Sequence, residues 1–237
     1  MASGDVMSVT SADPIVEEIA VAGDLTRQAS ARYQEIFRSL RQRLKDALDR
    51  ASDPADRARA AMTIADAAAA AFAAHFPNQP AIDCRAGCDA CCHLPVMIPP
   101  GVAEAICAHL VERLDPDALA ALKAELAQAA AAADALADPS TLRRRCPLLG
   151  ADGRCTVYAV RPLTCRAFTS PSAAACRALA FDAGRPVPQS PSQYQVYIDA
   201  TAALERAAAE RGLPSRQMGL AAGLLAVLPG TGSPPQA

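Results

Sequence analysis

The chain has 237 residues, of which 51% are hydrophobic, and a formal net charge of −2. This length and composition predict a globular protein with one ample core or two small domains. The near-neutral charge gives no basic field, so we do not expect a nucleic acid partner. The first residues lack the positive segment of a signal peptide, and the longest apolar run, Met218 to Leu228, is too short to span a bilayer. These features predict a cytoplasmic protein with no membrane partner.

Helix start signals and apolar periodicity predict a mostly α-helical protein. Apolar residues recur at helical spacing from Asp24 to about Ala51. Aspartate–proline pairs, which supply an N-cap and a first-turn proline, begin helices at Asp53, to about residue 76, and at Asp115, to about residue 136. Pro99-Pro100 begins another helix, to about residue 114. Later helices are expected at about 159–167, 172–182, 192–211 and 214–228.

The element order predicts how the chain is organised. The expected regions are a disordered N-terminus (1–14), a helical arm (15–76), a cysteine-cluster domain (77–182), C-terminal helices (183–228) and a flexible tail (229–237). Asp152-Gly153 lies between two apolar runs and predicts a hairpin turn. The predicted fold class is therefore mostly α, a helical protein with an irregular cysteine-rich metal-binding centre and one short β-hairpin.

Cysteines carry the chemistry of this sequence. Four occur within nine residues as Cys84-x3-Cys88-x2-Cys91-Cys92, and four more follow at Cys146, Cys155, Cys165 and Cys176. In a reducing cytosol such closely spaced cysteines indicate metal binding rather than disulfides. Thiolates suit zinc, iron and iron–sulfur clusters, and spacing alone does not separate these. Eight thiolates would serve two four-coordinate sites or one polynuclear cluster.

The first cysteine block cannot form a complete site as a straight helix. Its four sulfurs would share an arc of about 100°, but Cys84 and Cys92 would lie about 12 Å apart along the axis. A tetrahedral site needs each sulfur about 2.3 Å from the metal. We therefore expect a bend at Gly87, sharing of these cysteines between metals, or ligation by only two or three of them, with distant residues completing the shell. The Asp152-Gly153 turn would bring Cys146 and Cys155 together.

Other residues near the cysteines are interpreted as supporting or structural. Cys107 lies on an apolar helical stripe and is predicted to pack in the core. His93 follows the cysteine doublet and is interpreted as a neighbour of the site rather than a ligand. An arginine adjoins five of the eight cysteines, which would favour thiolate or merely reflect an arginine-rich chain: Arg85, Arg145, Arg154, Arg166 and Arg177.

Two sequence blocks resemble the YkgJ-type CxxCxxCC cysteine-cluster family of zinc- or iron-chelating proteins. The first block is Cys84-Arg-Ala-Gly-Cys-Asp-Ala-Cys-Cys92; the second contains Cys146-Pro-Leu-Leu, Gly153-Arg-Cys-Thr-Val-Tyr158 and Arg161-Pro-Leu-Thr-Cys-Arg-Ala-Phe168, with Cys176 after it. The resemblance spans about residues 84 to 180. It implies a zinc or iron ion or a 4Fe–4S cluster, with these metal ligands: Cys84, Cys88, Cys91, Cys92, Cys146, Cys155, Cys165 and Cys176.

The same resemblance leaves Arg161, Pro162 and Phe168 with structural roles. Arg161 is expected to pair with a carboxylate or cap a carbonyl, and Pro162 to begin a helix that presents Cys165. Phe168 is expected to shield the metal from water.

Several other functions compete with metal chelation as interpretations of this sequence. The family includes a flagellin lysine N-methylase, but no glycine-rich strand–turn–helix for S-adenosylmethionine is evident here. Cys84-x3-Cys88-x2-Cys91 also matches the radical S-adenosylmethionine spacing, yet the strand pattern of such barrels is missing. Cys88-x2-Cys91 lacks the setting of a thiol-redox pair. In a further interpretation the metal is a structural staple and the helical arms bind a protein partner. No acid/base pair stands out, so no catalytic residue is assigned.

Overall fold

The computed structural model describes residues 14–76, 80–181 and 186–229. It is 67% helix, with eight α-helices and one two-stranded antiparallel sheet in these ranges. The helices are α1 Pro14–Arg50, α2 Pro54–His75, α3 Val102–Val111, α4 Pro116–Asp134, α5 Leu163–Ala167, α6 Ala173–Phe181, α7 Pro191–Ala209 and α8 Leu220–Val227. The predicted mostly α fold is confirmed. Within the described ranges, no helix combines the length and apolar character that a membrane span requires.

The predicted capping residues begin their helices as expected. The Asp53 carboxylate accepts the Asp56 N–H at 2.8 Å, and the Asp115 carboxylate accepts the Ala118 N–H at 2.8 Å. Each cap is followed by a first-turn proline, whose missing N–H would have no helical partner. The first helix begins at Pro14, ten residues before the predicted Asp24. The predicted disorder of the preceding residues and of most of the tail lies outside the described residues.

Helix α3 starts later than the two prolines suggested. Gly101 precedes it with a φ of 86°, in the left-handed region, and Val102 is the first helical residue. The last helix is also shorter than predicted, because Met218–Gly219 forms strand β2. This strand pairs antiparallel with β1, Met97–Ile98, in the register Met97 with Gly219. Two-residue strands are too short to show an alternating pattern, so this sheet has no signal in the sequence.

The chain divides into two compact units, residues 1–40 and 41–237. In the second unit α2 packs against α3 and α7, α5 packs against α7, and α8 packs against α3 and α4. Small side chains line the central contact: Ala58, Ala61 and Ala65 on α2 and Ala200 on α7 are fully buried. Alanine lets helix axes approach closely, which explains how an alanine-rich chain with few aromatic residues builds its core.

Candidate metal centre

The first cysteine block is a turn followed by one turn of 3-10 helix. The N–H of Cys88 donates to the Arg85 carbonyl at 3.0 Å, and the 3-10 turn spans Ala90–His93. Gly87 has a φ of 84°, a conformation that favours glycine. The expected bend at Gly87 is thus confirmed, and it removes the straight-helix geometry that would hold Cys84 and Cys92 apart.

The second block contains the predicted turn. Leu149 and Cys155 form an antiparallel bridge, and the Gly150 N–H donates to the Arg154 carbonyl at 2.8 Å. Gly153 has a φ of 74° at the tip of the turn. Cys146 lies just before this hairpin, with its carbonyl accepting the Leu149 N–H at 3.0 Å. The turn therefore brings Cys155 back toward Cys146, as expected, and charge on Cys155 contributes after burial to the raised pKa of Cys146.

Backbone groups donate hydrogen bonds to the sulfurs of this hairpin. The Leu148 N–H donates to Cys146 and the Val157 N–H donates to Cys155, and each bond lowers the pKa of its thiol. Burial acts in the opposite direction and dominates, raising the pKa of Cys146 to about 11. A backbone N–H two residues after a cysteine is a donor suited to a thiolate, because it stabilises the charged form. Each of the two sulfurs thus has a backbone N–H donor that would stabilise its thiolate.

The two blocks are joined directly by backbone hydrogen bonds. The N–H of Cys146 donates to the Cys92 carbonyl at 2.7 Å, and the N–H of Arg144 donates to the His93 carbonyl at 3.1 Å. Cysteines more than 50 positions apart in sequence therefore meet on adjoining backbone. Electrostatic coupling reflects this meeting, because negative charge on Cys146 and Cys165 raises the pKa of Cys92.

Cys165 lies on the short helix α5, which Pro162 precedes as expected. Burial, with a smaller contribution from charge on Cys91, raises the pKa of the Cys165 thiol to about 12. The helix is held from the far side by the neighbouring Arg166, whose guanidinium lies 2.5 Å from an Asp66 carboxylate oxygen. Tyr197 donates its hydroxyl to the other Asp66 oxygen at 2.9 Å. Asp66 thus joins α2, α5 and α7 behind the cysteine.

Replacing Asp66 with asparagine is expected to destabilise the fold by about 1–3 kcal/mol. The amide would direct an N–H toward Arg166, whose side chain is only 14% exposed, and leave that guanidinium without its carboxylate. Urea unfolding measures the loss. Asp56→Asn is the matched control on the same helix. Its pair with Arg59 is over 40% exposed on both sides, so we expect a much smaller change in stability than for Asp66→Asn. Equal losses in both variants would contradict the role of Asp66.

The cation closest to the thiols is Arg161. Its Nη2 lies 3.8 Å from the Cys91 sulfur and also donates to the Cys165 carbonyl. The carbonyl contact matches one of the two roles expected for this residue, and the sulfur contact was not expected. Cys91, Cys165 and other thiolates raise the Arg161 pKa, while Arg161 in turn lowers the pKa of Cys91 and Cys155. One guanidinium thus offsets negative charge on several sulfurs.

The arginines adjacent to cysteines in sequence point mainly elsewhere. Arg166 reaches Asp66, Arg145 donates to the Leu149 carbonyl at 2.5 Å, and Arg177 lies 4.0 Å from Asp89. Arg161 lies outside the helices, before Pro162 and α5, with a ψ of 133°. Its sulfur contact is with Cys91, 70 positions earlier in the chain, so no local spacing could have indicated it.

Helix α6 holds the third part of the centre. Cys176 is buried on this helix, and its burial, followed by charge on Cys84 and Cys88, raises its pKa. The carboxylate of Asp83 accepts the Ala173 N–H at 3.0 Å, and the Asp83 N–H donates to the Ser170 carbonyl at 2.9 Å. These bonds tie the start of the first cysteine block to the start of α6.

The cysteine-bearing stretch can now be compared with known proteins. Residues 83–182 match the model of the family described as CxxCxxCC, putative zinc- or iron-chelating domain. This stretch is a CxxCxxCC domain. The match confirms the resemblance drawn from the two sequence blocks. No curated protein and no solved structure matches the chain.

Two residues of the CxxCxxCC domain lie apart from the sulfur centre. Cys107, half-buried on α3, donates its thiol toward the Val227 carbonyl on α8 at 3.4 Å. His93 packs its ring against Phe181, with 4.7 Å between ring centroids, and its Nδ1 lies 3.2 Å from the Asp89 carbonyl. The contact of Cys107 with α8 agrees with the predicted packing role. The position of His93 agrees with its predicted role as a neighbour of the site.

A cavity of about 280 Å³ opens beside the sulfurs of the CxxCxxCC domain. Cys91 and Cys165 line it together with Phe168 and Leu179. Within the described ranges, no three cysteine, histidine, aspartate or glutamate side chains are placed to hold a metal ion without adjustment. The donor set itself fits zinc or iron, since both accept several thiolates.

Proposed function

We propose that the CxxCxxCC domain binds zinc or iron through eight cysteine thiolates. The ligands are Cys84, Cys88, Cys91, Cys92, Cys146, Cys155, Cys165 and Cys176. The observation that carries this proposal is the hydrogen bond from the Cys146 N–H to the Cys92 carbonyl, which brings the two sequence blocks to one place. A bound metal would ionise the thiols and cross-link the first block, the hairpin, α5 and α6.

The pattern of coupling supports a centre built around Cys91. Negative charge on Cys91 contributes to the raised pKa of Cys146, Cys155 and Cys165. It contributes to the raised pKa of Cys176 as well. We call Cys92, Cys155 and Cys165 the inner group, because their charge, like that of Cys91, raises the pKa of Arg161. Cys146 joins this group through its interaction with Cys155 and Cys91. We call Cys84, Cys88 and Cys176 the outer group, because charge on Cys84 and Cys88 adds to burial in raising the pKa of Cys176 on α6. Such an arrangement suits two metal ions or one polynuclear cluster, including a 4Fe–4S cluster.

The backbone hydrogen bonds to Cys146 and Cys155 support a role as thiolate ligands, whereas burial by itself favours the protonated thiols. The pKa of Cys146 is raised to about 11 and that of Cys165 to about 12, so without a metal these sulfurs stay protonated at neutral pH. A metal cation reverses this preference because it coordinates only the ionised sulfur. The N–H groups of Leu148 and Val157 then stabilise the thiolates of Cys146 and Cys155.

The proposal is tested by elemental analysis and an absorption spectrum of protein purified without oxygen. Iron with acid-labile sulfide and visible colour would support an iron–sulfur cluster. Colourless protein with near-stoichiometric zinc would support thiolate-bound zinc. A folded, metal-free protein whose eight thiols all react with a thiol reagent, and which takes up neither metal on addition, would contradict the proposal.

Arg161 gives a second test of the same centre. Replacing it with glutamine is expected to weaken metal affinity about 10- to 100-fold, as for loss of other groups that support metal ligands. The reason is that the thiolate charge near Cys91 and Cys165 loses its closest cation. Competition with a chromophoric chelator measures the affinity. Arg154→Gln removes an exposed arginine that adjoins Cys155 in sequence and is expected to leave affinity unchanged. Equal effects in the two variants would assign no special role to Arg161.

A further inference from the structure

The first unit carries an apolar seam with the spacing of a coiled coil. Within α1, apolar or small residues recur at alternating intervals of four and three. The seam residues are Ile15, Ile19, Ala22, Thr26, Ala29, Tyr33, Ile36 and Leu40. Heptad spacing over 26 residues of one helix is typical of a helix that packs along its length against another helix.

Large apolar side chains of this seam and its border are in contact with solvent. Ile19 is 65% exposed, Leu25 is 62% exposed and Ile15 is 55% exposed. Single exposed apolar residues are common, but three on one face of the same helix mark an interaction surface. Thr26 directs its hydroxyl to the Ala22 carbonyl at 2.8 Å, so it brings no unsatisfied donor into the seam.

We propose that α1 pairs with α1 of a second copy of this chain, in antiparallel orientation. One register layers Ile15 on Tyr33, Ile19 on Ala29 and Ala22 on Thr26 of the other copy. The small central residues then let the two helix axes approach closely. The paired length is about 27 Å, and such a short interface is expected to associate with a dissociation constant in the micromolar range.

Charge and symmetry select this partner and this register. Glu18 and Arg32 flank the seam on the same side, seven residues to either side of Leu25. Within the described part of the chain neither makes an ion pair, whereas Asp24 pairs with Arg27 and Glu35 with Arg38 inside the helix.

In the antiparallel register Glu18 of each copy faces Arg32 of the other, which forms two ion pairs related by the two-fold axis. The same register brings Leu25 of both copies together on that axis. A parallel pair would place Glu18 near Gly23 and form neither contact.

The test uses sedimentation equilibrium of the full chain at low ionic strength. Wild-type protein is expected to dimerise. Glu18→Arg and Arg32→Glu are each expected to weaken dimerisation at least about tenfold, because each replaces two ion pairs with two like-charge repulsions. An equimolar mixture of these two variants restores both pairs, so it is expected to form a heterodimer at wild-type concentrations. Leu25→Glu, which puts two carboxylates on the two-fold axis, is expected to abolish association.

Two outcomes would overturn the proposal. One is wild-type protein that stays monomeric up to about 100 µM, well above a micromolar dissociation constant. The other is a mixture of the two charge-reversed variants that fails to associate, which would indicate a different register or a different partner. Metal content is expected to be the same in all four proteins, so failure of this proposal and failure of the metal-binding proposal are distinguishable.

Discussion

Cys91→Ser is expected to remove most of the metal from the protein. Charge on Cys91 raises the pKa of thiols in both the inner and the outer group, and the Cys91 sulfur lies 3.8 Å from Nη2 of Arg161. Serine keeps the shape of the side chain but does not supply a thiolate, so the variant separates loss of a ligand from loss of packing. Metal per protein chain, measured by elemental analysis of protein purified without oxygen, reports the effect. Cys165→Ser is expected to lose metal in the same way.

Cys107→Ser is the matched control for this experiment. Cys107 lies in the same domain, but its thiol faces the Val227 carbonyl and not another sulfur. The hydroxyl keeps a donor for that carbonyl, and metal content is expected to stay at the wild-type value. Undiminished metal in Cys91→Ser, or equal loss in Cys107→Ser, would contradict the assignment of the centre.

Gly101→Ala is expected to cost about 3–5 kcal/mol of stability, the largest effect predicted for a residue outside the cysteine centre. Gly101 has a φ of 86°, and a Cβ there would lie 2.9 Å from the Pro54 carbonyl carbon and closer still to its oxygen. Both groups are backbone at the start of a helix, so neither can move aside cheaply. The alanine variant therefore has to shift α3 away from α2. Urea denaturation followed by circular dichroism measures the change.

Gly212→Ala separates backbone strain from steric contact. Gly212 has a φ of 66°, but an added Cβ there would have no neighbour within 4 Å. This variant is expected to lose only about 1 kcal/mol, the cost of the left-handed conformation alone. If the two alanine variants were equally stable, the close approach of Gly101 to α2 would not hold the helices in place.

Local signals in the sequence were sufficient for most helix starts. Asp53 and Asp115 cap their helices through side-chain oxygens, and such a cap needs only residues within one turn. The start of α3 was predicted too early, because the left-handed Gly101 depends on contact with Pro54 in another helix. The sheet between Met97–Ile98 and Met218–Gly219 joins residues more than 100 positions apart and has no local signal.

Residue identity likewise predicted the candidate ligands but not their surroundings. The eight cysteines follow from thiolate chemistry, spacing and family resemblance, and the turn at Asp152-Gly153 was readable because glycine marks the left-handed conformation. Which arginine reaches a sulfur could not be predicted. Adjacency in sequence favoured the neighbours of the cysteines, whereas Arg161 reaches the Cys91 sulfur across 70 positions of the chain.

The sequence by itself determined that this is a helical protein with a CxxCxxCC domain, since helix caps, apolar periodicity and thiol chemistry all act over short range or through residue type alone. The tertiary structure decided that the two cysteine blocks meet at Cys92 and Cys146, that Arg161 is the cation beside their sulfurs, and that Asp66 holds α5 from behind. Each of these contacts joins residues more than 50 positions apart, and such contacts depend on how packed helices place distant segments together.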